Sequence, residues 1–295
     1  MSDVKFRGNI PALLTPFTQD GEVDVPKLRA FIDYLAPQVG GLFACGSYAS
    51  GPLLSDKQRR QVMEIVAEQV QGRVPVILHV GHPSTDVTLE TAKVADRLGF
   101  DGISSLPPYY YHHSAQSVTD HFLRLIDAVE TPVYVYHNPS LANNTVSPAQ
   151  LAELAEHGLA GVKDSSANIK NFYDFIDAVD KPGFGFIIGS QTLILPALQA
   201  GGHGCVSGVG NLYPKFIKAI FDAYEDGDHE RALELQFEAN VMRAVCGAGI
   251  PIPFYHVALK QRGVDIGYPK APLRMPDEAE VERIKRDTAV YAEWN

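Results

Sequence analysis

Short apolar stretches alternate with longer amphipathic stretches along most of the chain. The short stretches are rich in β-branched and aromatic residues and are apolar on both faces, which is typical of parallel strands buried between two layers. They recur roughly every 20 to 35 residues, the length of one strand-helix unit. The predicted strands cover residues 9–17, 41–47, 74–81, 101–108, 132–138, 160–166, 184–190 and 202–208.

The longer stretches have the apolar spacing of helices and begin with residues that favour a helix start. Ser55 with Gln58 fits a capping box. Ser147 with Gln150 fits another, in which Pro148 takes the first helical position. The predicted helices between the strands cover residues 28–39, 58–70, 87–98, 118–130 and 151–157.

Eight strand-helix units within about 250 residues predict an α/β fold, the (β/α)8 TIM barrel. A doubly wound sheet also alternates strands and helices, but it usually has fewer strands and a glycine fingerprint after the first one. Here the first predicted strand ends in Leu14-Thr15-Pro16-Phe17, without G-x-G-x-x-G. We therefore predict the barrel.

Helical patterns continue after the last predicted strand. No linker rich in glycine, serine or proline separates them from the barrel, so a second independent domain is not expected. We predict a barrel core over residues 1–212 and C-terminal helices over 213–295 that pack on it as part of a single structural unit. The predicted C-terminal helices cover residues 214–227, 229–248, 251–263 and 277–294.

Composition narrows the range of functions. The formal net charge of −10 argues against a nucleic-acid or anionic membrane surface, because both require clustered cations. The first residues lack the apolar core of a signal peptide, and no apolar run approaches the roughly 18 residues of a membrane span. The cysteines are odd in number and far apart, which suits reduced thiols in the cytoplasm, the location that we predict. They are Cys45, Cys205 and Cys246.

Active sites of TIM barrels lie at the carboxyl ends of the strands. Lys163 is close to such an end, and it is the only lysine inside a predicted strand. Burial disfavours an ammonium, and a neutral amine can attack a ketone to form an imine. The alternative, which the residues alone favour, is a lysine paired with a carboxylate such as Asp164. Tyr136 ends the neighbouring strand, where its phenol can either transfer protons beside Lys163 or simply fill the barrel mouth.

Several segments at the predicted strand ends together resemble the dihydrodipicolinate synthase/N-acetylneuraminate lyase family of class I aldolases. The resemblance runs from Pro11 into the C-terminal helices, and its strength lies in the order and spacing of the segments. With it, the catalytic interpretation of Lys163 becomes the favoured one. The segments are GSYASG (46–51), PPYYY (107–111), YHNPS (136–140), GVKDSS (161–166), IIGSQ (187–191) and GGHGCVSG (201–208).

The resemblance implies a role for each matching residue. Lys163 would form a Schiff base with pyruvate or another 2-oxo acid, and Tyr136 would move protons, relayed through Ser47 and through Tyr110 of a neighbouring subunit. The family also implies a homotetramer, a dimer of dimers, and a reaction that needs no cofactor or metal. The predicted substrate-binding residues are Ser47, Tyr48, Gly189, Val206, His137 and Leu141.

Two departures from the family pattern bear on the substrate. In dihydrodipicolinate synthases an arginine that grips the carboxylate of aspartate semialdehyde follows the Tyr-x-x-Pro segment, but Leu141 stands there in this chain. A bulky Tyr48 also replaces a small threonine. Together they favour a sugar-derived or otherwise neutral aldehyde, made or cleaved as part of a 2-keto-3-deoxy acid.

Several alternatives stay open at this point. The chain could be a dihydrodipicolinate synthase, a 2-keto-3-deoxy acid dehydratase or hydratase-aldolase, or an oxo-acid binding protein without turnover. A metal-dependent hydrolase is a weaker alternative. The histidine pairs His79/His82 and His112/His113 have no supporting cluster of carboxylates or thiols in the sequence.

Overall fold

The computed structural model describes residues 4–247 and 249–294 of the chain. Position 248, where one predicted helix ends, and residues 1–3 and 295 of the predicted core and C-terminal parts lie outside the described residues. Eight strands form at the predicted places, but each is shorter than predicted. The predicted ranges also covered parts of the loops that follow, whose residues are buried or half-buried. The strands are β1 Gly8–Pro11, β2 Leu42–Ala44, β3 Val76–His79, β4 Gly102–Ser105, β5 Val133–His137, β6 Gly161–Asp164, β7 Gly185–Ile188 and β8 Gly204–Ser207.

The strands form one parallel sheet that curves into a ring. Each strand pairs with the next along the chain from β2 to β8, and β8 pairs with β1. Between β1 and β2 the ring is completed by a parallel bridge from Ala12 to Phe43, with Leu13 N donating to Phe43 O at 3.0 Å. This arrangement confirms the predicted (β/α)8 barrel.

Helices alternate with the strands as predicted, and the four C-terminal helices also form. Both predicted capping boxes are present. The hydroxyls of Ser55 and Ser147 accept the backbone N–H groups of Gln58 and Gln150, and the side chains of these glutamines accept the backbone N–H groups of the serines. The helices are α1 Val25–Leu35, α2 Asp56–Val70, α3 Thr85–Arg97, α4 Ala115–Asp127, α5 Pro139–Ala142, α6 Pro148–Glu156, α7 Ile169–Ala178, α8 Ile194–Gln199, α9 Pro214–Glu225, α10 His229–Cys246, α11 Ile252–Gln261 and α12 Glu278–Ala289.

Alternation along the strands separates two buried layers. In β5, Tyr134 and Tyr136 belong to the cluster inside the barrel, whereas Val135 packs in the layer between strands and helices. The register pairs Tyr136 with Lys163 on β6, and neighbouring residues in register point to the same face of a sheet. Tyr136 and Lys163 therefore share the barrel interior.

The C-terminal helices contact the barrel through hydrogen bonds as well as apolar packing. Asn9 on β1 donates to the carbonyl of Pro214, at the start of α9, at 3.4 Å. Gln236 on α10 donates to the carbonyl of Gln191 at 2.9 Å and accepts the N–H of Leu195 at 2.8 Å. Within the described ranges, no helix is long and apolar enough to cross a membrane.

Candidate active site

Lys163 lies inside the barrel near the end of β6 and is 4% exposed. Its Nζ atom is 3.6 Å from the centre of the Tyr136 ring and 3.9 Å from that of Phe43. These ring faces attract the amine when it is charged, but they do not occupy its lone pair when it is neutral. Within residues 4–247 and 249–294, no carboxylate forms an ion pair with it.

Asp164, the partner that the ion-pair alternative required, faces the other way. Its Oδ1 atom is 2.8 Å from Nδ1 of His137, and both residues are buried in the layer between strands and helices. The carboxylate also accepts the N–H of Ser166 at 3.0 Å and its hydroxyl at 2.9 Å. The Asp164 carboxylate is therefore bonded to His137 and Ser166 and not to Lys163, and the ion-pair interpretation of Lys163 is wrong.

Tyr136 presents its phenol to two polar side chains. Its Oη atom is 3.4 Å from the hydroxyl of Ser47, and Asn138 Nδ2 donates to it at 3.2 Å. The ring packs edge-on against Phe43 and His79, with centroid distances of 5.6 and 5.4 Å. The phenol is thus held beside the Lys163 amine at the end of a hydrogen-bonded relay.

Burial and proximity to each other shift the pKa values of Lys163 and Tyr136. Burial lowers the pKa of Lys163 from its ordinary value, although the neighbouring Tyr136 partly opposes this. Burial by itself would raise the pKa of Tyr136, but the charge of Lys163 and hydrogen bonds from Ser47 and Asn138 outweigh it, so the pKa is lowered. Both groups are brought closer to neutral pH, which suits an amine nucleophile and a phenol that moves protons.

The loop after β2 leaves two backbone donors free beside this pair. The N–H groups of Ala49 and Gly51 return to the carbonyl of Gly46, and that of Ser50 returns to the carbonyl of Ser47. Within the described part of the chain, the N–H groups of Ser47 and Tyr48 have no hydrogen-bond partner. Free N–H groups in a tight turn are a common way to hold a carboxylate.

A cavity with a volume of about 530 Å³ opens over Lys163. Gly189 lines the cavity where the ends of β6 and β7 pack closely, because a Cβ atom at this position would lie 1.8 Å from the hydroxyl oxygen of Ser165. The residues around the cavity include five of the predicted ones besides Lys163: Tyr48, Tyr136, Leu141, Gly189 and Val206.

The departure at Tyr48 is accommodated by its neighbours. Its ring packs edge-on against Tyr255 at 5.7 Å and lies so close to Gly208 that a Cβ atom there would be 2.5 Å from it. Burial raises the pKa of Tyr48 to about 12, which keeps its phenol neutral. The larger side chain therefore leaves the cavity open.

Two predicted residues lie elsewhere. His137 is not among the residues that line the cavity, and its predicted contact with substrate stays a prediction. It follows Tyr136 on β5 and therefore points outward, where its ring packs on Phe175 at 5.1 Å. Tyr110 is 76% exposed, with φ of 86°, and its ring contacts Tyr111 rather than the cavity.

Several side chains that line the cavity were not among the predicted site residues, and Asn138 and Arg243 are two of them. Asn138 has a detectable signal, because it is two residues after Tyr136 and such spacing returns a side chain to the same face. Arg243 on α10 has none, because only the packing of the C-terminal helices brings it to the cavity. Its guanidinium donates to the carbonyls of Gly247 and Gly249.

The histidines considered as metal ligands have separate hydrogen-bond partners. His79 Nδ1 is 3.3 Å from the Ser104 hydroxyl, and His82 Nδ1 accepts the N–H of Ser84 at 3.0 Å. His112 is exposed, with Nδ1 3.0 Å from the carbonyl of Asn143. In the part of the chain that the structure describes, no group of three or more histidine, cysteine, aspartate or glutamate residues is placed to hold a metal ion.

Comparison with known proteins extends over almost the whole chain. Residues 5–289 match the model of the dihydrodipicolinate synthetase family. The chain belongs to this family. Its members are pyruvate-dependent class I lyases that act on carbon–carbon bonds, and the chain is therefore such a lyase.

Relatives and solved structures in the dihydrodipicolinate synthetase family agree in length with the chain. An uncharacterized DapA-like lyase of Halobacterium salinarum is 36% identical over 96% of this chain and 93% of its own. The 4-hydroxy-tetrahydrodipicolinate synthase of Methanospirillum hungatei is 31% identical over 98% of this chain and 100% of its own. The Escherichia coli prophage protein YagE, a family member solved in complex with pyruvate, has a TM-score of 0.92 at 27% identity and covers 97% of this chain and 98% of its own.

Proposed function

We propose that Lys163 forms an imine with pyruvate or a related 2-oxo acid and that the enzyme makes or cleaves a 2-keto-3-deoxy acid. The observation that carries this proposal is the environment of the amine. It is buried, free of ion pairs among the described residues, and 3.6 Å from the ring of Tyr136, whose phenol heads a relay to Ser47. The unused N–H groups of Ser47 and Tyr48 would hold the carboxylate next to the ketone.

The reaction begins when the neutral amine of Lys163 adds to C2 of the oxo acid. The ketone oxygen leaves as water with one proton from the amine and one from Tyr136, which is left deprotonated. The resulting iminium withdraws electrons from C3. The electron pair of the C3–C4 bond then moves to form an enamine, while Tyr136 in its deprotonated form takes the proton of the C4 hydroxyl and the aldehyde departs. Protonation of C3 and hydrolysis of the imine release pyruvate and restore Lys163.

The lining of the cavity supports a substrate with a hydroxyl beside the bond that breaks. Asn138, Ser140, Ser165 and Ser190 contribute uncharged polar groups to the lining, to which Arg243 adds a guanidinium. The uncharged groups hydrogen-bond hydroxyls without demanding a charge. Leu141 stands on the same wall, where a dihydrodipicolinate synthase would need an arginine, so aspartate semialdehyde is not the aldehyde that we propose.

Pyruvate release from a panel of 2-keto-3-deoxy acids tests this proposal. We expect turnover of at least one member of the panel, abolished in Lys163→Met and retained in Lys170→Met, whose lysine is exposed and paired with Asp174. Pyruvate bound at Lys163 without turnover of any panel member would instead indicate an oxo-acid binding protein. Efficient condensation of pyruvate with aspartate semialdehyde would overturn the argument from Leu141.

We further propose a cytoplasmic homotetramer in which Tyr110 of a neighbouring subunit completes the relay. The exposure of Tyr110 and its left-handed backbone support this, because a large aromatic side chain in that conformation is costly unless it has a partner. The buried free thiols of the chain suit a reducing compartment. Light scattering on the purified protein should give four times the mass of one chain, and a monomer with full activity would contradict the shared relay.

A further inference from the structure

A second chamber adjoins the cavity over Lys163, and its walls are mainly apolar. It has a volume of about 370 Å³ and shares Leu141 and Ile250 with the first cavity, while Ser47 lines its catalytic end. We call it the leucine chamber. Its apolar side chains are those of Leu53, Leu106, Leu141, Ile250, Ile252 and Leu273.

One cation, Arg59 of α2, lies in the wall of the leucine chamber. The residue is 9% exposed, and its Nη2 atom donates to the carbonyl of Gly51 at 2.9 Å. Its Nη1 atom is buried with no hydrogen-bond partner, and no carboxylate of the described residues forms an ion pair with it. A buried guanidinium without a counter-charge is destabilising, so its retention in this wall calls for an explanation.

The remaining polar groups of the leucine chamber do not supply that counter-charge. Among the described residues, no aspartate or glutamate lines it. Burial lowers the pKa of His79 well below its ordinary value, so the imidazole is neutral. Ser47, Ser50 and Tyr109 contribute hydroxyls only. An anion would therefore have to arrive with a ligand.

We propose that Arg59 binds a carboxylate on the aldehyde half of the substrate, and that the body of this aldehyde is a hydrocarbon lying in the leucine chamber. This inference rests on the proposed function and specifies its substrate class: a 2-keto-3-deoxy acid with a second carboxylate at the far end of an aliphatic or aromatic chain. It replaces the neutral aldehyde expected from Leu141, because Arg59 supplies from another wall the cation that position 141 lacks.

Other aldehydes fit the leucine chamber less well. A polyhydroxylated chain would bury hydroxyls against leucine and isoleucine side chains without partners. Aspartate semialdehyde carries an ammonium as well as a carboxylate, and none of the described residues in the chamber wall offers a carboxylate to receive the ammonium. A neutral hydrocarbon aldehyde would leave Arg59 unpaired. Size is not limiting, since an apolar cavity of about 150 Å³ already holds benzene.

Condensation of pyruvate with matched aldehydes tests the inference. The probes are the positional isomers of carboxybenzaldehyde against benzaldehyde, and succinic semialdehyde against butyraldehyde, with kcat/KM measured for each. For the native enzyme we expect at least one carboxylated probe to be preferred by about 10- to 100-fold, the range for one charged hydrogen-bonded pair. The preference should collapse toward one in Arg59→Met and be partly kept in Arg59→Lys.

Two controls make the outcome decisive. Arg60→Met removes an exposed arginine from the next position of α2 and should keep the native preference. The preference is a ratio measured on one preparation, so loss of folded protein cancels from it. If pyruvate forms no adduct with Lys163, the proposed function fails. If the adduct forms but carboxylated probes are not preferred, do not react, or stay preferred in Arg59→Met, only the present inference is overturned.

Discussion

Replacing Tyr136 by phenylalanine isolates the phenol oxygen from the ring that carries it. The ring contacts with Lys163, Phe43 and His79 would remain, because they involve the ring itself. What disappears is the Oη atom that accepts from Asn138 at 3.2 Å and lies 3.4 Å from the Ser47 hydroxyl. The change therefore removes the proton carrier while leaving the wall beside the amine in place.

Two magnitudes follow from this geometry. General acid–base catalysis by a positioned side chain contributes about 10²- to 10⁴-fold, so kcat should fall by that factor, or about 3 to 5 kcal/mol of barrier. The amide of Asn138, which is buried, loses an acceptor, which should cost about 1 to 3 kcal/mol of unfolding free energy. A pyruvate adduct on Lys163 should still form, but more slowly.

Tyr134→Phe provides the matched control. Tyr134 is on the same strand, points into the same barrel and is similarly buried, but it packs against Phe6, away from the cavity. Steady-state pyruvate release and urea unfolding should be measured on both variants. If the activity of Tyr136→Phe stays within about threefold of that of the native enzyme, the loss is far below the range for a general acid–base group and the role of the phenol is refuted. An equal loss in Tyr134→Phe would refute it too.

Three further changes probe the supports of the site. In Gly189→Ala the new Cβ atom collides with the Ser165 side chain and with the carbonyl of Asp164, which should lower stability by about 1 to 3 kcal/mol, and Ser165→Gly should relieve only the first contact and restore part of the stability in melting experiments. In Asp164→Ala the buried His137 loses a hydrogen-bond partner, at a cost of about 1 to 3 kcal/mol. Folded protein should still form the pyruvate adduct, and loss of the adduct would show that the pair serves the cavity. Burial lowers the pKa of His121 to about 4 from 6.5, so the native state resists protonation and stability falls as pH drops through this window, by up to about 3 kcal/mol. An unchanged slope of unfolding free energy against pH in His121→Gln would contradict this.

The sequence was sufficient to predict the barrel, because each strand is an apolar run and each helix has its own periodicity and caps. It was also sufficient to single out Lys163, since a lysine inside such a run is exceptional. It did not predict that Asp164 pairs with His137. That outcome follows from strand alternation, which turns consecutive residues to opposite faces, and the alternation applied to β5 would have excluded His137 from the cavity.

Other parts of the site depend on packing that no local pattern reveals. Arg59 follows a capping box and precedes another arginine, so in the sequence it belongs to a polar helix surface. It becomes buried because the loop containing Gly51 folds over it, and the hydrogen bond to that carbonyl fixes its direction. Arg243 reaches the cavity only through the docking of α10. Such long-range contacts decide which charges face the substrate.

Reduction with borohydride in the presence of pyruvate, followed by peptide mapping with mass spectrometry, tests the central claim most directly. One reduced pyruvate should be found on the peptide that contains Lys163, and none should be found in Lys163→Met. Labelling should rise with pH and reach its midpoint below the range of an ordinary lysine, because burial lowers the pKa of this amine. An unlabelled protein, or a label on a different lysine, would contradict the account.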